Sequence, residues 1–325
     1  IYSIWKSDLL GGGANLTGKS YSVRVVTMTA PVIFNRRFSK SELNAMIELL
    51  ENQTECGYLD RDRATSFLNL QDTMSFVSSV KDEIIGGTII YRDRTRQGMI
   101  LASVAVRNEF RETSAYSVIK SSLPFFKTVA IRDVEALIPE NHSEERLGFP
   151  GSLELDYWTK DILGRIGFEH KDTLYAYTIE IPDSVQMGRV ENQWDANPVL
   201  EKAKSLIWDS CKTAGLTNSY LWTAFDFATN QDTLRTMTFD DSMKLISSIY
   251  IVGTSSIIGL IIADDDFIES GLVSRQIAQL VRETRTRKLI LPLIGKGQTD
   301  LIKEIVDELG GFHKRRSMTL MCKNM

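Results

Sequence analysis

Three histidines (His142, His170, His313) and three cysteines (Cys56, Cys211, Cys322) are the side chains of this 325-residue chain best suited to metal or redox chemistry. Their spacing supports neither. No histidine has a Cys or His neighbour at ligand spacing, so a metal site is excluded. The cysteines are odd in number and far apart, which gives no disulfide framework and no CxxC pair and fits a reducing cytoplasm. What remains is acid–base chemistry. Glu109, Glu140, His142, Glu144 and Glu145 lie in polar loops and could serve as a general base, yet each reads equally well as a solvated surface group. No side chain is assigned a catalytic role.

The composition is that of a globular protein: 43% hydrophobic, 25% charged, with a formal net charge of −4. The length fits two domains better than one. A negative balance disfavours a protein devoted to nucleic acid, whose phosphates call for a positive surface. Residues 1–20 lack the basic and apolar regions of a secretory signal, and Gly11, Gly12 and Gly13 read as a flexible arm. Residues 245–263 carry no charge and approach the length of a membrane span. Gly253, Thr254, Ser255 and Ser256 break that run, and its halves are β-branched, so it reads as a buried hairpin and no membrane span is expected.

The elements follow from periodicity. A Val- and Thr-rich strand is expected over 21–34. Ser39 and Glu42 have capping-box spacing ahead of a helix whose stripe is Leu43, Met46, Ile47 and Leu50. A second helix over 60–70 precedes a hairpin of 75–80 with 84–91, and 99–106 is another strand. A polar loop, 107–113, then feeds a helix over 114–127, and a short buried strand covers 134–138. A long loop, a helix over 156–165 and a strand over 173–181 complete the first half, and 183–198 reads as a linker. The second half starts with a helix over 199–214 and reaches the 245–263 hairpin. It continues with a helix through Val273, Ile277, Leu280 and Val281, a strand over 289–294, a helix through Ile302, Ile305, Val306 and Leu309, and a strand over 319–322.

An internal repeat connects the halves. Ile84, Ile85 and Gly86 match Ile257, Ile258 and Gly259, and Gly167-Phe168 matches Gly311-Phe312. In that register the second half is shorter, and the acidic run Asp264, Asp265 and Asp266 stands where a strand and loop are missing. A basic set (Arg282, Arg285, Arg287, Lys288, Lys314, Arg315, Arg316) reads as a solvated face.

The stretch Val106-Arg107-Asn108-Glu109-Phe110-Arg111-Glu112-Thr113-Ser114-Ala115-Tyr116 resembles the fourth-strand exit and phosphate loop of GNAT acyl-CoA N-acyltransferases, with Arg111 at the basic position. The preceding hairpin, the strand after it and Ile166-Gly167-Phe168 occur in that family's order, and the resemblance covers 21–182. It implies an α/β (α+β) mixed-sheet fold with two tandem GNAT-like domains: an arm (1–20), a GNAT-like domain with the cofactor loop (21–182), a linker (183–198) and a degenerate GNAT-like domain (199–325). It further implies that Val104, Ala105 and Val106 offer backbone groups to a pantetheine. Arg111, Glu112, Thr113, Ser114, Ala115 and Tyr116 would hold the pyrophosphate at a helix N-terminus, with Asp156 at the start of the next helix. Tyr116 takes a small-residue position, where its ring is expected to obstruct the phosphates. The family's general-acid tyrosine falls on Leu163, which cannot donate a proton.

The implied function is a cytoplasmic N-acetyltransferase that carries an acetyl group from acetyl-CoA, or another acyl group from its acyl-CoA, to a small-molecule or peptide amine. The alternative is a non-catalytic CoA-binding sensor or interaction scaffold. Direct amine attack needs mainly a deprotonated amine, alignment and backbone donors for the oxyanion, so it can survive poor side-chain motifs.

Overall fold

Eleven strands hydrogen-bond into one mixed sheet in the order β1-β2-β3-β4-β5-β11-β6-β10-β9-β8-β7. The structure, a computed structural model, describes residues 32–53, 61–93, 98–128, 132–141, 153–182, 193–214 and 219–325. All of them belong to the compact unit Val32–Met325. The arm at 1–20, most of the strand expected at 21–34, His142, Glu144, Glu145, Cys56 and residues 183–192 of the linker lie outside the described residues.

The first half contains β1 (Phe34–Arg37), α1 (Leu43–Gln53), α2 (Arg61–Leu68), β2 (Thr73–Val80), β3 (Glu83–Asp93), β4 (Gly98–Val106), α3 (Asn108–Thr128), β5 (Asp133–Pro139), α4 (Thr159–Ile166) and β6 (Glu169–Glu180). The second contains α5 (Leu200–Ala214), α6 (Ser219–Asn230), β7 (Leu234–Phe239), β8 (Ser242–Val252), β9 (Ser255–Ala263), α7 (Asp265–Glu269), α8 (Leu272–Glu283), β10 (Lys288–Ile294), α9 (Thr299–Leu309) and β11 (Phe312–Asn324). The capping box forms as expected, with the Ser39 amide donating to Glu42 Oε2 at 2.9 Å, and α1 buries Met46, Ile47 and Leu50. The uncharged run is the β8–β9 hairpin, and every residue of β9 is buried. Helices on both faces of the sheet account for that: strands covered twice read as continuous apolar runs. Among the described residues, no helix is long and apolar enough to cross a membrane.

The strand order is palindromic about β11 and β6. In the first half β4 and β5 are parallel through Gly98↔Asp133, Met99↔Val134 and Ile100↔Glu135. In the second, β9 and β10 are parallel through Ser255↔Lys288, Ser256↔Leu289 and Ile257↔Ile290. Both hairpins that open the halves turn through two positive-φ residues, Lys81 and Asp82 in one, Asp240 and Asp241 in the other. Both helices before the last strands, α4 and α9, end on a left-handed glycine, Gly167 (φ 96°) and Gly310 (φ 62°).

This symmetry corrects the repeat register. Ile84, Ile85 and Gly86 lie on β3, whereas Ile257, Ile258 and Gly259 lie on β9, whose counterpart is β4. The second half therefore has its strand, helix and following strand in full, and the apparent deletion came from matching two apolar strands one position apart. The Gly167 and Gly311 match does fall on equivalent elements.

The halves exchange structure. β11 runs between β5 and β6, pairing Met318 to Asn324 with β5 and Phe312 to Cys322 with β6. Helix α6, absent from the sequence reading, packs on β3, β4 and β9. A Cβ at Gly98 would stand 2.5 Å from Ser219 Oγ, so the start of β4 needs glycine for α6 to approach.

Candidate functional site: the wedge between β4 and β5

Beyond Ile100 and Glu135 the two strands share no ladder, although β4 runs to Val106 and β5 to Pro139. They part there into a wedge. Where the wedge opens, β4 carries one extra residue: Ile89 pairs with Ser103 and Ile90 with Leu101, leaving Ala102 as a bulge. A bulge of this kind bends its strand and re-aims backbone groups. Val104, Ala105 and Val106 lie on the parted stretch and are buried.

Helix α3 starts at Asn108, directly after the strand, and the Phe110 amide closes its first turn on Arg107 O at 2.9 Å. The expected loop over 107–113 is thus already helix, and Arg111, Glu112, Thr113, Ser114, Ala115 and Tyr116 occupy its first turns. The short linear signal of polar residues was a solvent-facing helical turn. With the Phe110 amide taken by Arg107 O, the outward donors of the first turn belong to Asn108 and Glu109. Ser114 and Ala115 pack against the sheet.

The face between α3 and α4 is basic and aromatic. Arg111 stands 4.9 Å from the centre of the Trp158 ring. Tyr116 is approached by Arg165 at 5.2 Å and Lys120 at 5.3 Å. Its ring is therefore turned toward α4 and away from the first helical turn. Asp156 lies in the turn leading into α4, where its carbonyl accepts from the Thr159 amide (3.0 Å) and hydroxyl (2.6 Å). Leu163 is fully buried in the core beneath α3 and α4.

The β5 side of the wedge is lined from two directions. Glu154 bridges Leu137 in parallel, and the Leu155 amide donates to Leu137 O at 2.7 Å. From the second half, Tyr220 on α6 accepts the Leu137 amide at 2.8 Å. Two buried carboxylates flank this point. Glu135 accepts the Ser219 amide at the head of α6 (2.6 Å) and pairs with Lys171, and Glu154 pairs with Arg316 of β11 at 2.9 Å. Burial, reinforced by the negative charges of Glu135 and Glu154, holds the Tyr220 phenol well above its ordinary titration range. Sequence reasoning missed Tyr220 because 219–230 is apolar almost all round and shows no amphipathic stripe; the aromatic density after Gly215 was the available signal.

The second half repeats the wedge. β9 and β10 part after Ile257 and Ile290, and one extra residue bulges β9 at Ile258 and Gly259. Here, however, the gap is crossed by a side chain: Gln298 donates to Ile261 O at 2.7 Å and accepts the Gly295 amide at 3.0 Å. The exit of β9 is acidic, with Asp264 capping α7 through the Asp266 amide at 3.1 Å. A depression of about 600 Å³ opens there, lined by Asp241, Asp264, Asp265, Asp266 and Lys202 among others. Leu206 and Met243 supply its apolar part.

The fold recurs in solved structures. The chain is similar to a candidate acetyltransferase from Pyrococcus horikoshii (14% identity, 94% of this chain and 93% of that one, TM-score 0.61). It is also similar to a GCN5-related N-acetyltransferase from Sphaerobacter thermophilus (10%, 90% and 95%, 0.59). A third is a tandem GNAT protein from the clavulanic acid biosynthesis pathway (9%, 90% and 98%, 0.59). The fold is that of a tandem GNAT protein. At these identities the likeness is one of fold. No family model matches the sequence, and no match was found among curated proteins. Of the residues that the sequence resemblance singled out, Val104, Ala105 and Val106 end β4 and Arg111 to Tyr116 lie in the first turns of α3.

Proposed function

We propose that the chain is an acyl-CoA-dependent N-acyltransferase, with acetyl-CoA as the donor and an amine as the acceptor, working at the wedge of the first half. The observation that carries this reading is the bulge at Ala102 where β4 leaves β5, one strand-length from the outward amides of α3. Those residues fit the donor. A helix N-terminus favours a pyrophosphate, Arg111 adds positive charge at the end of the first turn, and the parted strand supplies amide partners for the pantetheine. The assignment of Val104, Ala105, Val106, Arg111 to Tyr116 and Asp156 as the cofactor-binding set is kept in this form, with the pyrophosphate moved toward Asn108.

Attack by a neutral amine on the thioester carbon forms the C–N bond and expels the sulfur. An amide aimed from the bulge stabilises the oxyanion, and alignment does most of the remaining work. The second half, on this reading, is a wall: α6 and β11 complete the first wedge, while Gln298 and the acidic exit keep a second nucleotide out. The boundaries 21–182 and 199–325 then describe two repeats that complete one another across β11.

A second reading, a CoA-binding protein without turnover, draws on Leu163, a buried apolar side chain that cannot act as the proton donor the resemblance places there. Release of free thiol from acetyl-CoA, followed across amines, peptides and polyamines, separates the two. Acceptor-dependent thiol release supports the transferase. Saturable binding with no release by any acceptor class supports the sensor.

A further inference from the structure

The leaving sulfur of a thioester needs a proton or a strong hydrogen bond, and Leu163, on which the resemblance places the donor, supplies none. Across the wedge the situation differs. Had the β4–β5 ladder continued beyond Ile100 and Glu135, the residue opposite Ala102 would be Leu137. Leu137 is where the Tyr220 hydroxyl sits, accepting the amide at 2.8 Å. A phenol has one proton to give, and among the described residues no acceptor takes it. The ring is 2% exposed, so neither does bulk water. A buried donor unmatched among the described residues, at the level of the bulge, is placed to meet a ligand atom.

We infer that Tyr220, brought by the second half into the wedge of the first, is the proton donor to the departing thiolate. The inference rests on the acyltransferase reading above. As the C–S bond breaks, its electron pair stays on sulfur and the Tyr220 proton passes to it. The tyrosinate takes back the proton released from the acceptor nitrogen, so the thiol, the amide and a neutral Tyr220 are what remain. Burial, and after it the negative charges of Glu135 and Glu154, keeps the phenol protonated at rest. Lys171 and Arg316, each paired with one of these carboxylates, are the cations on the neighbouring strands. This assignment gives α6 a chemical reason for its position and makes the first wedge incomplete without the second half.

The test uses the intact chain and free CoA, whose thiolate absorbs in the ultraviolet. In the wild type, a hydrogen bond from Tyr220 lowers the apparent pKa of the bound thiol. Tyr220→Phe is expected to raise it by about one unit, since a hydrogen bond to a charged group is worth that much. The substitution strands the Leu137 amide and lowers stability, so 3-fluorotyrosine at position 220, which keeps the shape but is more acidic, serves as the second variant and is expected to lower the thiol pKa below that of the wild type. With hydroxylamine as acceptor, Tyr220→Phe should slow turnover of acetyl-CoA about 10²-fold and leave an acetyl thioester of an acidic aromatic thiol nearly untouched, because that anion leaves unaided. A bound thiol that titrates identically in the wild type and the fluorotyrosine protein overturns the inference. A folded wild-type chain that binds no CoA fails earlier, and removes the acyltransferase reading itself.

Discussion

The side-chain amide of Gln298 donates to the carbonyl of Ile261 at 2.7 Å, the position on β9 that corresponds to Val104 on β4. A carboxamide in the protein thus makes the kind of bond that the proposed function gives to a ligand amide at the first wedge. Together with Asp264, Asp265 and Asp266 at the exit of β9, this predicts one CoA site per chain. Gln298→Ala should leave a buried carbonyl and amide without partners and destabilise the protein by about 2–3 kcal/mol in denaturant unfolding. A change below a few tenths of a kcal/mol would mean that Gln298 does not hold the second wedge closed.

Tyr116, expected from sequence to block the phosphates, is turned toward Arg165 and Lys120. Its removal should therefore not tighten CoA binding. Arg111→Ala should weaken it several-fold at low salt, and the difference from the wild type should shrink as ionic strength rises. Tyr116→Gly, checked for folding by circular dichroism, is expected to bind CoA no better than the wild type. Tighter binding would restore the steric role.

The pair between Glu154 and Arg316 joins the halves across β11, with the Glu154 side chain fully buried and Arg316 partly exposed. Removing the cation alone leaves a buried carboxylate short of a partner, which costs more than the pair contributes. Arg316→Ala should lower stability by about 2–4 kcal/mol, and Arg316→Ala with Glu154→Gln should recover part of it. Likewise, a chain ending at Pro182 lacks β11, exposes the facing edges of β5 and β6, and should aggregate when expressed alone.

Two buried phenols, Tyr220 and Tyr250, titrate above their ordinary range, in both cases mainly because of burial. The folded-state pKa is raised, so the unfolded chain loses these protons first. Their contribution to stability is complete below about pH 10, the free phenol value, and is lost as pH rises toward the folded-state pKa. Each contributes up to about 1.4 kcal/mol per pH unit in that window. Tyr220→Phe should remove one such increment from the alkaline slope of unfolding free energy, and an unchanged slope would place the phenol in contact with water.

The strands were legible because their apolar runs and turn residues are local signals. Ser255 to Ala263 has no charge and Gly253 marks its turn, so the hairpin could be read directly. Gly310 directly after Leu309 is a helix stop signal of the same local kind. The misplaced repeat had a physical cause: Ile84 to Ile90 and Ile257 to Ile262 are both doubly covered strands, and burial on two faces erases the pattern that distinguishes one from the next. The head of α3 was read as a loop because its first turns carry Glu109, Glu112 and Thr113 toward solvent, where polarity mimics a connection. Tyr220 could not be assigned to the wedge from sequence at all. Its place depends on a contact between α6 and β5 across 83 residues of chain.

The central claim is that the β4–β5 wedge takes the acyl-CoA. Calorimetric titration of the intact chain with acetyl-CoA, accompanied by amide hydrogen exchange, addresses it most directly. The account predicts a single saturable site, with slowed exchange confined to residues 101–106 and 108–111. A folded protein that releases no heat and gains no protection at millimolar acetyl-CoA, or that gains it at β9 instead, would contradict it.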